Sequence, residues 1–153
     1  MSITNLARKS LEQRLDPLRQ NAGLRRPPQG WIKAIREALG MTTSQLADRL
    51  GVSQSRASRL QKDEAADAIT LHKLRDVAEA MNCTLVYALV PNQPLDDILR
   101  ERANAIADKT LAHVSHSMAL EDQSLTADRI KRERERLIET LLAGSLKHLW
   151  KTR

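Results

Sequence analysis

Apolar residues recur at helical spacing along most of this chain and crowd together in one short run. Ala7, Leu11, Leu15, Leu18 and Ala22 make a first stripe, in which Pro17 is expected to kink or split the helix because it lacks the donor for the preceding turn. The following GLRRPPQG, residues 23–30, reads as a linker. Ile32, Ile35, Ala38 and Leu39 then define a short helix stopped by Gly40. Thr42 is placed to cap a helix over 43–50 with Leu46, Ala47 and Leu50 inward. Gly51 supplies a turn, and Ser53 caps a helix over 54–61 with Ala57 and Leu60 inward. Thr70 caps another, whose apolar face is Leu71, Leu74, Val77, Ala78 and Met81.

The pattern changes at residues 83–90, CTLVYALV, which are mostly apolar or β-branched with no polar helical face and end at Pro91. This predicts one strand. A lone strand leaves its backbone groups unpaired, and no second convincing strand is present. The expectation is therefore an antiparallel pairing of the same segment from two copies across a two-fold axis, giving a homodimer. Beyond Pro94, one helical stripe runs through Leu95, Leu99, Ala103, Ile106, Thr110, Val114 and Met118. Another runs through Ile130, Leu137, Leu141, Leu142, Leu146 and Leu149. A break near 122–124 makes these a helical hairpin. Three parts follow: a basic helical arm and linker (1–29), a central domain with its terminal strand (30–91), and a hairpin for dimerisation or partner binding (92–153).

Charge sharpens this division. Residues 1–29 hold six Lys/Arg against two Asp/Glu, out of a net charge of +6 for the whole chain. A basic extension beside a near-neutral globule resembles the arm of a nucleic-acid binder, although a solvated amphipathic helix carries the same charges. A single cysteine, Cys83, excludes an internal disulfide and a Cys-cluster zinc site, and points to the reducing cytoplasm. No run is long and apolar enough for a membrane span, and the first residues lack the apolar core of a signal peptide. His113 and His116 sit at metal-compatible spacing, yet solvated histidines explain them as simply. There is no Gly-rich phosphate loop and no nucleophile–base–acid set. An enzyme reading has no residues to stand on, and no cofactor or metal is expected.

The segment from Thr42 to Leu60 has the mechanics of a DNA-reading pair of helices. Ala47 allows a close crossing, Gly51 the turn, and Val52 a plug beneath it. The helix after Ser53 turns Gln54, Ser55, Arg56, Ser58 and Arg59 outward. Gln bonds adenine in paired fashion and Arg bonds guanine; the small serines permit close approach. Thr43, Gln45, Lys62 and Lys73 are placed for phosphates, and Arg25 and Arg26 for the backbone or the minor groove.

The stretch GMTTSQLADRLGVSQSRASRLQKDE…TLHKLRDVAEAMN resembles the Xre/Cro repressor-type helix-turn-helix over residues 31–82, with Thr43 where that family usually has Gln. The resemblance implies a bundle of four or five helices whose third enters the major groove. The fold class expected is thus mainly α: a repressor-like helix-turn-helix bundle with one strand pairing across a dimer, plus an N-terminal helix and a C-terminal hairpin. The whole chain, through LARKSLEQRLDPLR, RPPQGWIKAIREALGMT and the strand with its proline, is similar to the bacterial family called mobile mystery protein A. That resemblance implies a Fic-domain toxin partner and an antitoxin-like regulator of a two-gene module. The expected homodimer, with two recognition helices, would bind double-stranded DNA at a pseudo-palindromic operator as an autorepressor. Some Fic inhibitors carry Ser/Thr-x-x-x-Glu-Gly/Asn. Ser117 and Glu121 match it, with Asp122 departing from the pattern. The competing reading is a protein-interaction antitoxin that neutralises its partner directly through the C-terminal helices.

Overall fold

The computed structural model describes residues 3–20, 24–120 and 126–151. Ala22, Glu121 and the break at 122–124 lie outside the described residues, as does the side chain of Met118. The described residues form α1 (Ile3–Gln20), α2 (Trp31–Ala38), α3 (Thr43–Leu50), α4 (Gln54–Ala65), α5 (Leu71–Ala80), α6 (Leu95–Leu120) and α7 (Ala127–Ala143), with a 3₁₀ helix over Leu146–Trp150. The chain divides into two compact units: Gln20–Leu89, and Met1–Arg19 together with Val90–Arg153.

In the first unit four short helices, α2 to α5, enclose Ile32, Leu46, Leu60, Val77 and Met81, with Ile35, Leu50, Leu74 and Cys83 packed around them. Ala47 and Ala57 are fully buried between α3 and α4, where a larger side chain would hold the helices apart. Leu71, expected on the inner face of α5, is exposed, and Val52 is only half-buried.

The strand expected over 83–90 is not formed; no strand is present among the described residues. A strand exists through its ladder, and β-propensity measures fit to a pleated neighbour that a single copy does not supply. Val86 (84 % exposed) and Leu89 (90 %) stand bare instead. The pairing across a dimer that rested on this strand has no counterpart here.

The second unit is built on α6 and α7, which close over Ala103, Ala107, Ile138 and Leu149, flanked by Leu99, Ile106, Leu137, Leu141, Leu142 and Leu146. The two alanines let the helices approach, and Leu149 of the 3₁₀ helix seals the end of the seam. Arg102 Nε donates to the Leu149 carbonyl at 2.6 Å. α1 runs as one helix through Pro17, so the proline does not split it. The proline stands in the last turn, and Arg19 beyond it is held by Glu12, by Asp16 and by the Pro91 carbonyl. α1 also turns a different face than its leucines suggest. Arg8 pairs with Asp96, and Glu12 accepts from the Leu95 N–H, while Leu11 and Leu18 lie in solvent.

Candidate nucleic-acid interface

α3 begins with a reciprocal cap. The Thr42 hydroxyl accepts from the Gln45 N–H at 3.1 Å, and the Gln45 side-chain carbonyl accepts from the Thr42 N–H at 2.8 Å. Gly51 ends the helix in the left-handed region, with φ 67°. That conformation allows the Val52 N–H to reach back to the Ala47 carbonyl at 3.0 Å. Two residues later Ser53 opens α4 by accepting from the Arg56 N–H at 3.2 Å. The turn between the helices is thus fixed by hydrogen bonds at both ends.

α4 has two unlike faces. Ala57, Leu60, Gln61 and Glu64 are buried, whereas Gln54, Ser55, Arg56 and Arg59 are exposed and Ser58 is half-buried. Three of the outward side chains are long donors, and the serines between them leave room for a broad surface to come close. Ser55 is within 3.1 Å of the Ser53 hydroxyl, which orients it at the start of the helix. The helix N-terminus adds partial positive charge on the same side. Chemically the face can donate and accept at base edges and donate to phosphates.

The residues expected at phosphates divide into groups. Thr43 is half-buried at the start of α3; Lys62, Lys73 and Arg25 are exposed. Gln45 is engaged through its carbonyl in the cap of α3. Arg26 turns inward: its guanidinium donates to the carbonyls of Glu64 and Ala65 and pairs with Asp67. Ser117 bonds its own helix, its hydroxyl donating to the His113 carbonyl at 3.2 Å. Glu121, its expected companion, lies outside the described residues. Among the described residues no group of three or more His, Cys, Asp or Glu is placed to hold a metal, and no helix is long and apolar enough to cross a membrane.

Sequence reasoning missed the polar residues on the inner side of α4. Arg36 Nε donates to Gln61 Oε1 at 2.9 Å, and the Glu64 carboxylate accepts from the N–H groups of Trp31 and Ile32. Arg49 donates to the Ala80 carbonyl at 3.0 Å, tying α3 to the end of α5. A signal for the first pair was present. Gln61 and Glu64 continue the inward stripe of Ala57 and Leu60 at helical spacing, so two polar side chains were bound to enter the core and to need partners.

Residues 32–87 match the family model for helix-turn-helix domains. Neither a curated protein nor a solved structure matches the chain. The match spans α2 to α5 and runs on into the segment after them. Its extent, the capped α3–turn–α4 geometry and the polar outward face of α4 agree. Residues 32–87 form an Xre-type helix-turn-helix domain, the fold of DNA-binding transcription regulators.

Proposed function

We propose that this protein is a sequence-specific DNA-binding regulator that acts as a homodimer on a pseudo-palindromic operator and represses its own promoter. The observation that carries the reading is the division of α4: one face locked into the core, the other offering Gln54, Ser55, Arg56 and Arg59 to solvent. In a dimer the two recognition helices stand about 34 Å apart, one turn of duplex. The bared side chains of Val86, Tyr87 and Leu89 support association of two copies. The reading places the protein in the cytoplasm, with no catalytic role and no cofactor. Lys62, Lys73 and Arg25 serve phosphates.

Titration against the protein's own promoter, at two salt concentrations and with nonspecific competitor, tests it. Competitor-resistant binding that weakens with salt is expected. Arg59→Ala costs about 1–3 kcal/mol and relaxes preference at one base pair. Binding no tighter than to competitor DNA defeats the reading. Val86→Asp, followed by light scattering, is expected to shift the dimer toward monomer.

The finer assignment is an antitoxin-like regulator in a two-gene module with a Fic-domain toxin. It is supported by the family resemblance of the whole chain. The second reading gives the separate α6–α7 unit the task of neutralising that toxin by direct contact. It is favoured by that unit's compactness apart from the helix-turn-helix domain. Mixing the purified toxin with the protein, with and without promoter DNA, distinguishes the two: inhibition in the absence of DNA supports direct contact.

A further inference from the structure

The segment before α2 and the last turn of α4 grip each other in both directions. Glu64 is 3 % exposed. Its carboxylate lies across the start of α2, accepting from the Trp31 N–H at 2.7 Å and from the Ile32 N–H at 2.8 Å. A helix start offers unpaired donors and partial positive charge, so the buried carboxylate is satisfied there. Gly30 makes the approach possible. Its φ is +87°, and a Cβ at that position would sit 2.8 Å from Glu64 Oε2. Arg26 acts in the opposite sense, donating to the Glu64 carbonyl at 2.7 Å and to the Ala65 carbonyl at 3.1 Å. These are carbonyls at the C-terminal end of α4, where the Glu64 carbonyl also accepts from the Asp67 N–H at 3.1 Å.

None of these bonds touches the outward face of α4, yet all of them fix the rod that carries it. Ten residues separate Glu64 from Gln54, about 15 Å of helix. A tilt of about ten degrees about Glu64 therefore moves Gln54 by about 2.6 Å, well beyond what a hydrogen bond to a base edge tolerates. We infer that Glu64 and Arg26 are positioning residues: they set the direction of α4, and hence the register of Gln54, Arg56 and Arg59 on base edges, without contacting DNA. This rests on the reading that α4 faces the bases. It also removes Arg26 from the set of phosphate contacts.

The test compares the full chain with Glu64→Gln, Arg26→Gln, Arg26→Lys and Gly30→Ala. Each is titrated with promoter duplex and with a random duplex of equal length over a range of salt, with the folded fraction measured by circular dichroism. Glu64→Gln adds a unit of positive charge, so electrostatics alone would tighten binding to both duplexes. Positioning predicts the opposite on the promoter, a loss of about tenfold, the scale of one lost base contact, with random-duplex binding no weaker. Gly30→Ala disturbs the same carboxylate from the other side and is expected to lower the promoter-to-random ratio likewise.

Arg26→Gln is expected to lower that ratio and leave the salt slope unchanged. A phosphate contact would instead cut the slope by about one and weaken both duplexes alike. Arg26→Lys separates the roles again: it restores the charge but not the fork that spans two carbonyls, so it rescues a phosphate contact and not a clasp. Wild-type ratios in the folded variants, or losses that only track the unfolded fraction, overturn the inference. A parent chain with no promoter preference shows instead that α4 does not read these bases, and the inference falls with that reading before any variant is compared.

Discussion

The two units pack helix on helix almost without aromatic residues, and they do it in opposite ways. In Gln20–Leu89 the helices are eight to twelve residues long, too short to persist alone in water. Their starts are closed by side chains: Thr42, Ser53 and Thr70 each accept from a backbone N–H of the first turn, and Glu64 does the same for α2 from a distance. In the other unit α6 and α7 run 26 and 17 residues, so most of their backbone groups are paired within the helix. Thr126 heads α7 without a side-chain cap bond. Besides its narrow Ala/Leu/Ile seam, this unit is bound by the Glu12 carboxylate at the Leu95 N–H, by Arg102 at the Leu149 carbonyl, and along its flanks by ion pairs at Arg134–Asp108, Arg100–Glu135 and Arg8–Asp96. Short helices are specified at their ends, long ones along their flanks. A reading surface belongs on the first kind, because a capped helix with one face in the core holds its other face still.

The sharpest way to break this comparison is to hollow each seam in turn. Leu46→Ala, at a side chain with no exposure, is expected to cost about 2–5 kcal/mol in a urea titration and to abolish promoter binding. Ile138→Ala should cost stability of the same order, about 2–5 kcal/mol, yet leave α4 in place and DNA binding intact in dilute urea. Loss of binding in both variants would show that the units do not hold their structure separately. Leu11→Ala, at a residue 48 % exposed, should change stability by less than about 0.5 kcal/mol.

Caps come next in size. Ser53→Ala and Thr70→Ala each remove an acceptor for a first-turn N–H and should cost about 0.5–2 kcal/mol in thermal unfolding. Thr126→Ala should cost close to nothing, since the Thr126 side chain makes no cap bond. Equal losses at all three positions would erase the distinction between ends and flanks.

The same distinction explains which parts of the molecule could be read from residues alone. Thr42, Ser53 and Thr70 announce helix starts by chemistry local to the chain, and all three cap as expected. Leu46, Ala47, Ala57 and Leu60 fall inward by periodicity, and they are buried. α1 largely defeated periodicity because its inward side is charged: Arg8 and Glu12 find partners far along the chain, while Leu11 and Leu18 are exposed and only Leu15 of the leucine stripe is half-buried. No local pattern announces a pairing across more than eighty residues. Residues 83–90 misled for a related reason. Their β-branched character describes a fit to a neighbouring strand, which the sequence of one copy does not contain. At the candidate site the outward face of α4 was legible, because polar residues on a capped helix beside a buried stripe have one place to go. Arg26 was not, because an arginine in a basic linker looks the same whether it meets a phosphate or the carbonyls of Glu64 and Ala65.

The smallest expected effect is a pH dependence in the ionic unit. Glu12 titrates below its ordinary value, first because the Leu95 N–H donates to its carboxylate and then because Arg19 lies beside it. Asp108 is lowered by the hydrogen bond from Arg134, and Arg134 is raised in return. A carboxylate held below its unfolded value stabilises the fold above that value and loses the contribution as pH falls through the folded one. The loss therefore sets in below about pH 4. Asp108 faces solvent and Glu12 is half-buried, so salt should shrink the effect, most of all at Asp108. Asp108→Asn is expected to lower the melting temperature slightly at neutral pH and to flatten its fall in acid, with the difference fading in high salt. Hydrogen exchange along α6 and α7 should show the change, while α3 and α4 keep the parent's protection. An unaltered acid limb in Asp108→Asn would mean that Glu135, whose charge also raises Arg134, serves that arginine as well as Asp108 does. The flank would then be held by a cluster of interchangeable acids rather than by one pair.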